Sequence, residues 1–220
     1  MSGTGMASDD NVHGYVDATA STAVSSMSAQ DRAEALMGEV NNLLAQQGVP
    51  HVGYDWNASG NTYGTFDAGS WTMSLNHYYF DENSHDANTL EHNYQEALQT
   101  VFHEARHAEQ TFRCLREVIG LGATPDQALH AMQAGSAPVP PQWVAEQAAH
   151  NPILQCDVSQ NEAAQWYESM YGSGAAHRTQ VLNDPNAPYS DYRNLPEEAD
   201  AWTADGAVGD EYNQQMHPSN

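Results

Sequence analysis

The sequence predicts an α+β fold, a small antiparallel sheet followed by a mostly helical remainder. Three observations carry this. Between His51 and Asn76, short aromatic and β-branched runs alternate with breaks rich in Gly, Asn and Ser. From Asn88 to Gly120 the chain has no proline and no internal glycine, and apolar residues recur every three or four positions. Beyond Gly120, short capped helical segments follow one another without a second strand-rich region. A length of 220 residues suits one domain with a substantial core.

In chain order, residues 1–27 are small and polar and read as a flexible N-terminus ahead of a single domain over 28–205. Ser28 and Asp31 mark a helix start. Ala33, Leu36, Val40, Leu43 and Leu44 then share one face up to a stop at Gly48. HVGYDW, TYGTFDA and SWTMSLN supply two to four antiparallel strands, with Tyr78, Tyr79 and Phe80 packing beneath them. In the long helix, Leu90, Tyr94, Leu98, Val101, Ala105, Ala108, Phe112, Leu115 and Ile119 form an apolar stripe. Thr124 caps a short helix with Pro125 at its first position and Gly135 past its end. PQWVAEQAAH is another helix, and Ser159 with Glu162 opens a third in a capping-box pattern, where Trp166, Tyr167 and Tyr171 read as core. A last helix runs from Leu195 to Trp202, entered through Pro196, and residues 206–220 read as a tail.

Charge narrows the partners. The chain has 29 acidic residues against six Arg and no Lys, a formal net charge of −23. That argues against nucleic acid, whose binding rests on phosphate neutralisation, and against docking on an anionic membrane. No stretch has the roughly 20 apolar residues of a membrane helix, and the first residues lack the pattern of a secretory signal. Cys114 and Cys156 are too few for a disulfide framework and read as buried thiols, with a single bridge as the alternative.

The chemistry concentrates in His103-Glu104-Ala105-Arg106-His107, an HExxH motif in the middle of the long helix. A spacing of four is a little over one turn, so both imidazoles point the same way and can share one Zn²⁺. Glu104 sits about 100° further round, where it can reach a metal-activated water rather than the metal. The apolar stripe lies opposite the His face, which carries Glu96, Thr100, Gln110 and Cys114. Arg106 reads as a helix-surface partner of an acid such as Glu109. Cys114 is about 10 Å further along, too far for the same metal. His77, His85 and His92 read as surface or core histidines. A catalytic zinc takes three protein ligands, so a third must come from elsewhere.

HExxH on a long helix, with Glu198-Ala199-Asp200-Ala201 on a later one, resembles the gluzincin branch of zinc metallopeptidases. The preceding segment GTFDAGSWTMSLN resembles the sheet bordering the substrate cleft in zincins. The likeness spans about residues 62–205. It departs from the pattern at position 202, where Trp stands in place of Asp, and the metzincin extension is absent. The resemblance implies a zincin-like domain in which His103, His107 and Glu198 bind one Zn²⁺ per chain and Glu104 is the general base. Glu162 and Glu197 remain alternatives to Glu198, as do His130, His150 and His177. Tyr192, His177 and Arg178 are candidates for stabilising an oxyanion.

The expectation is therefore a zinc metallopeptidase acting on a peptide or protein substrate. The alternative is an inactive zincin-like binding module whose metal is structural or absent. The anionic surface points to basic or neutral peptides. A lysine-free hydrolase without a leader fits the cytoplasm or a signal-independent delivery system, as in bacterial toxin or effector domains. The missing lysine reads equally as adaptation to salt or as drift.

Overall fold

The computed structural model describes residues 4–20, 27–81, 87–154 and 160–218. The fold is α+β and mostly helical, with one three-stranded sheet. Helices α1 (Asp9–Ala20) and α2 (Ala29–Gln46) precede strands β1 (Gly53–Asp55), β2 (Gly64–Asp67) and β3 (Thr72–Leu75). The long α3 (Ala87–Gly120) follows, then α4 (Pro125–Met132), α5 (Gln142–Ala148), α6 (Gln160–Met170), α7 (Ala175–Asn183), α8 (Tyr189–Arg193) and α9 (Pro196–Met216).

Helix α3 is the axis on which the rest is hung. It packs most extensively on α9 and also meets α6, β2, α2 and α5. Its predicted stripe is buried from Leu90 to Leu115. Gln110 and Cys114, on the face expected to be polar and accessible, are fully buried as well, because α9 and α6 cover that side. Ser28 and Asp31 form the capping box of α2, and Thr124 with Gln127 that of α4. Glu162 lies in the first turn of α6, while Ser159, Cys156 and His85 lie outside the described residues. Cys114 is a buried free thiol.

The sheet is mixed rather than antiparallel. The turn Asp67–Thr72 closes an antiparallel β2–β3 hairpin, with Asp67 accepting from the backbone N–H groups of Gly69 and Ser70. β1 joins the far side of β3 in parallel, giving the order β1-β3-β2. β2 is thus an edge strand, and it lies against α3. Trp71, in the turn, has φ of 57°, a left-handed conformation unusual for a large residue. It is held there by burial and by its indole N–H, which donates to Pro50 O at 3.3 Å. Phe80 is buried as expected, but Tyr78 is 55% exposed.

Both chain ends differ from expectation. The segment read as a flexible N-terminus holds α1, which packs on α9 and α2. Val12, Tyr15, Val16 and Thr19 are buried at i, i+3, i+4 and i+7 spacing, and Tyr15 Oη donates to Leu98 O at 3.0 Å. Of the segment read as a tail, residues 206–216 belong to α9, which continues through Val208 and Tyr212, both buried. In each case a modest apolar face on a polar background gains its partner only in the folded chain.

Candidate metal centre

α3 places His103 and His107 one turn apart, and α9 brings Glu198 against them from its first turn. The two Nε2 atoms are 3.1 Å apart. Glu198 Oε2 is 3.7 Å from His103 Nε2 and 3.6 Å from His107 Nε2. Among the described residues, this trio is the group of His, Cys, Asp and Glu whose ligand atoms converge as a metal site requires, all within 4.8 Å of one another. Glu198 Oε2 is buried without a hydrogen-bond partner, an arrangement costly in a folded core unless a cation completes it.

The surrounding hydrogen bonds fix the protonation of His107. Gln110 Nε2 donates to Glu197 O and to Asp200 Oδ2, both at 2.8 Å. Neither group can donate in return, so the Gln110 amide oxygen is the atom facing His107 Nδ1, at 2.8 Å. His107 Nδ1 therefore carries a proton. The other imidazole turns Nδ1 toward Asp205 Oδ2 at 4.0 Å, and Asp205 Oδ1 accepts from Gln99 Nε2 at 2.8 Å. His107 thus turns an Nε2 lone pair toward His103 Nε2, while His103 Nδ1 is buried without a hydrogen-bond partner. Burial disfavours a charged imidazole, yet Glu198 and Glu104 outweigh it and raise His107 to about 9. Burial works against an ionised Glu198 too, but His103, His107 and Tyr192 hold its carboxyl well below the usual range. Two nitrogens and one carboxylate oxygen form a donor set that suits Zn²⁺.

Glu104 does not join the trio. It lines an adjacent cavity of about 240 Å³ together with His107, Tyr192, Arg178 and the edge strand. Its Oε2 accepts from Phe66 N of β2 at 2.8 Å. Burial raises the Glu104 carboxyl against the pull of both histidines and the Phe66 N–H. Tyr192 faces the same cavity, and burial together with the Glu198 and Glu104 carboxylates pushes its phenol far up. It therefore stays protonated and acts as a donor.

The other expected candidates fall elsewhere. His177 is exposed and lines a separate, larger cavity bordered by α6, α7 and α8. Its neighbour Arg178, about 100° further round α7, turns into the site cavity instead, pairing with Glu197 Oε1 at 2.7 Å. Glu197 is thereby committed to an ion pair rather than to the trio. Glu162 is 38% exposed and pairs with Arg113 at 3.1 Å. His77, His92, His130 and His150 are exposed. Trp202 sets its ring edge-on to His103, with centroids 4.9 Å apart.

Arg106 does more than the expected pairing with Glu109. It is fully buried, and its Nε and Nη2 bind the two oxygens of Asp200 at 2.7 and 3.1 Å. Its Nη1 donates to Glu109 and, at 2.9 Å, to Thr4 O. Trp166 lies between Arg106 and Arg113, at 5.1 and 4.9 Å from its ring centroid. Gly5, at φ of 63°, brings the N-terminal segment so close that a Cβ there would fall on the Glu109 carboxylate. None of these partners is near in sequence except Glu109, so spacing along one helix had no means of showing them.

No protein-family model matches the chain, and no curated protein or solved structure matches it either.

Proposed function

We propose that the protein is a zinc-dependent hydrolase of peptide bonds, with His103, His107 and Glu198 as metal ligands and Glu104 as general base. The observation that carries this reading is the convergence of three ligand atoms around an unpartnered Glu198 oxygen, with a cavity-lining carboxyl next to them. Zinc bound there supplies a Lewis acid that polarises a carbonyl group and makes water acidic.

The chain's own groups divide the remaining work. Glu104 accepts a proton at its carboxylate and can pass it to a leaving amine, and burial tunes it toward that exchange. Tyr192, kept protonated, offers a hydrogen bond to a carbonyl oxygen that gains charge. β2 is an edge strand lining the cavity, a place for an extended peptide to lie, with its Phe66 N–H held by Glu104. Ala68, Pro138, Met170 and Leu182 give the cavity apolar walls for a side chain. The gluzincin likeness of the two motifs points to the same reaction. Among the described residues, no helix is long and apolar enough to cross a membrane.

The test is metal analysis of purified protein together with Glu104→Gln. About one zinc per chain is expected, lost in His103→Ala. Glu104→Gln retains zinc while peptide hydrolysis falls about 10²- to 10⁴-fold. Full activity in Glu104→Gln overturns the mechanism, and wild-type protein without zinc overturns the metal centre.

A further inference from the structure

Gln110 lies one turn beyond His107 on α3, is fully buried, and contributes no metal-ligating atom. All its contacts are nonetheless directed. Its amide nitrogen is held by two acceptors, Glu197 O and Asp200 Oδ2, and its amide oxygen meets His107 Nδ1. Asp200 is itself fixed, because Arg106 grips both of its oxygens from a fully buried position. Each link has one permitted polarity. A guanidinium only donates, an ionised carboxylate only accepts, and an amide with its NH₂ on acceptors must turn its oxygen away from them.

We propose that Gln110 is a positioning residue for the metal centre. It relays the fixed Arg106–Asp200 pair to His107 as a tautomer constraint, holding the imidazole proton on Nδ1 and leaving the Nε2 lone pair aimed at His103 Nε2 and Glu198 Oε2. The inference rests on the metal reading above. The relay explains why an amide, rather than a carboxylate, sits behind His107: Asp200 already supplies the negative charge, and a second carboxylate at position 110 would face it directly. It also explains why the middle of the motif carries Arg106, whose planar fork holds both Asp200 oxygens where a lysine would offer a single ammonium. Removing a group that orients a ligating imidazole typically weakens metal binding about 10- to 100-fold.

The experiment uses the full chain, stripped of metal and titrated with Zn²⁺ against a chromophoric chelator. The Co²⁺ form is followed by its visible absorption spectrum. Gln110→Leu keeps the bulk and removes both polarities. It is expected to weaken Zn²⁺ binding by at least tenfold and to shift the Co²⁺ bands. The tautomer is read directly by ¹⁵N NMR of metal-free protein at alkaline pH, where wild-type His107 is expected to hold its proton on Nδ1 and Gln110→Leu to populate both tautomers. If Gln110→Leu binds Zn²⁺ as tightly as wild type with unchanged Co²⁺ bands, the relay is wrong while the metal centre stands. If Gln110→Leu loses affinity while His107 keeps the single Nδ1–H tautomer, position 110 matters only as packing, and the relay is again wrong. If wild type binds no Zn²⁺, the metal reading itself fails and takes the relay with it.

Discussion

On one face of α3 the fully buried Arg106 meets Asp200, Glu109 and Thr4 O, and every nitrogen of its guanidinium has a partner. On the neighbouring face, His103 and His107 turn their Nε2 atoms to each other and to a Glu198 oxygen that no hydrogen bond satisfies. The same two helices, α3 and α9, build both faces. The difference teaches how a buried charge is tolerated. Where the chain supplies the counter-charge, the network is closed and serves as scaffold. Where it leaves donor atoms converging, it is open to a cation from solvent.

Three perturbations test the contrast, in descending order of expected effect. Breaking the closed face should cost most. Arg106→Met removes the guanidinium held between the buried Glu109 and the half-buried Asp200 and is expected to destabilise metal-free protein by about 3–5 kcal/mol in urea denaturation. A loss near zero would mean that solvent reaches those carboxylates.

The second perturbation is pH, and it addresses the open face. In metal-free protein the His107 imidazole takes up a proton beside the Glu198 carboxylate. His107, raised from 6.5 to about 9, contributes stability that is fully present below about pH 6.5 and is lost as pH rises through about 9. The full effect is on the order of 3 kcal/mol. Glu198, held low, contributes at pH above its ordinary 4.5 and loses that contribution as pH falls. The two descriptions belong to one coupled pair and are counted once. Glu198→Gln should flatten the alkaline limb of a stability–pH profile, and an unchanged limb would show that the pair does not form.

The third perturbation adds the ion. Zinc at about a hundredfold its Kd should raise stability by about 2.7 kcal/mol, read as a Tm shift reversed by chelator. With zinc bound, the alkaline loss should disappear, because the proton has been displaced. A Tm indifferent to zinc would place both faces of α3 in the closed class.

The long helix was legible because its signals are local. Its apolar stripe repeats within the helix itself, and HExxH sets two imidazoles on one face by periodicity alone. Glu198 was reached only through a resemblance, since nothing in the spacing from residue 107 to 198 says that α9 turns its first turn onto α3. α1 was missed although Val12, Tyr15, Val16 and Thr19 carry helical spacing, because polar neighbours dilute so short a face. His177 and Arg178 are adjacent in sequence, and only the seating of α7 decides which of them enters the cavity.

By itself the sequence determined the helical character of residues 87–120, the capped starts of α2 and α4, the hairpin-forming stretch before α3, and the paired imidazoles. Each follows from backbone preference and side-chain periodicity within a few turns. The tertiary structure alone decided that β1 joins β3 in parallel, that Arg106 is buried against Asp200, and that Gln110 stands between Asp200 and His107. Those outcomes depend on which distant segments fill the space beside α3. A contact across some 90 residues is set by the packing of whole faces, which no local pattern encodes.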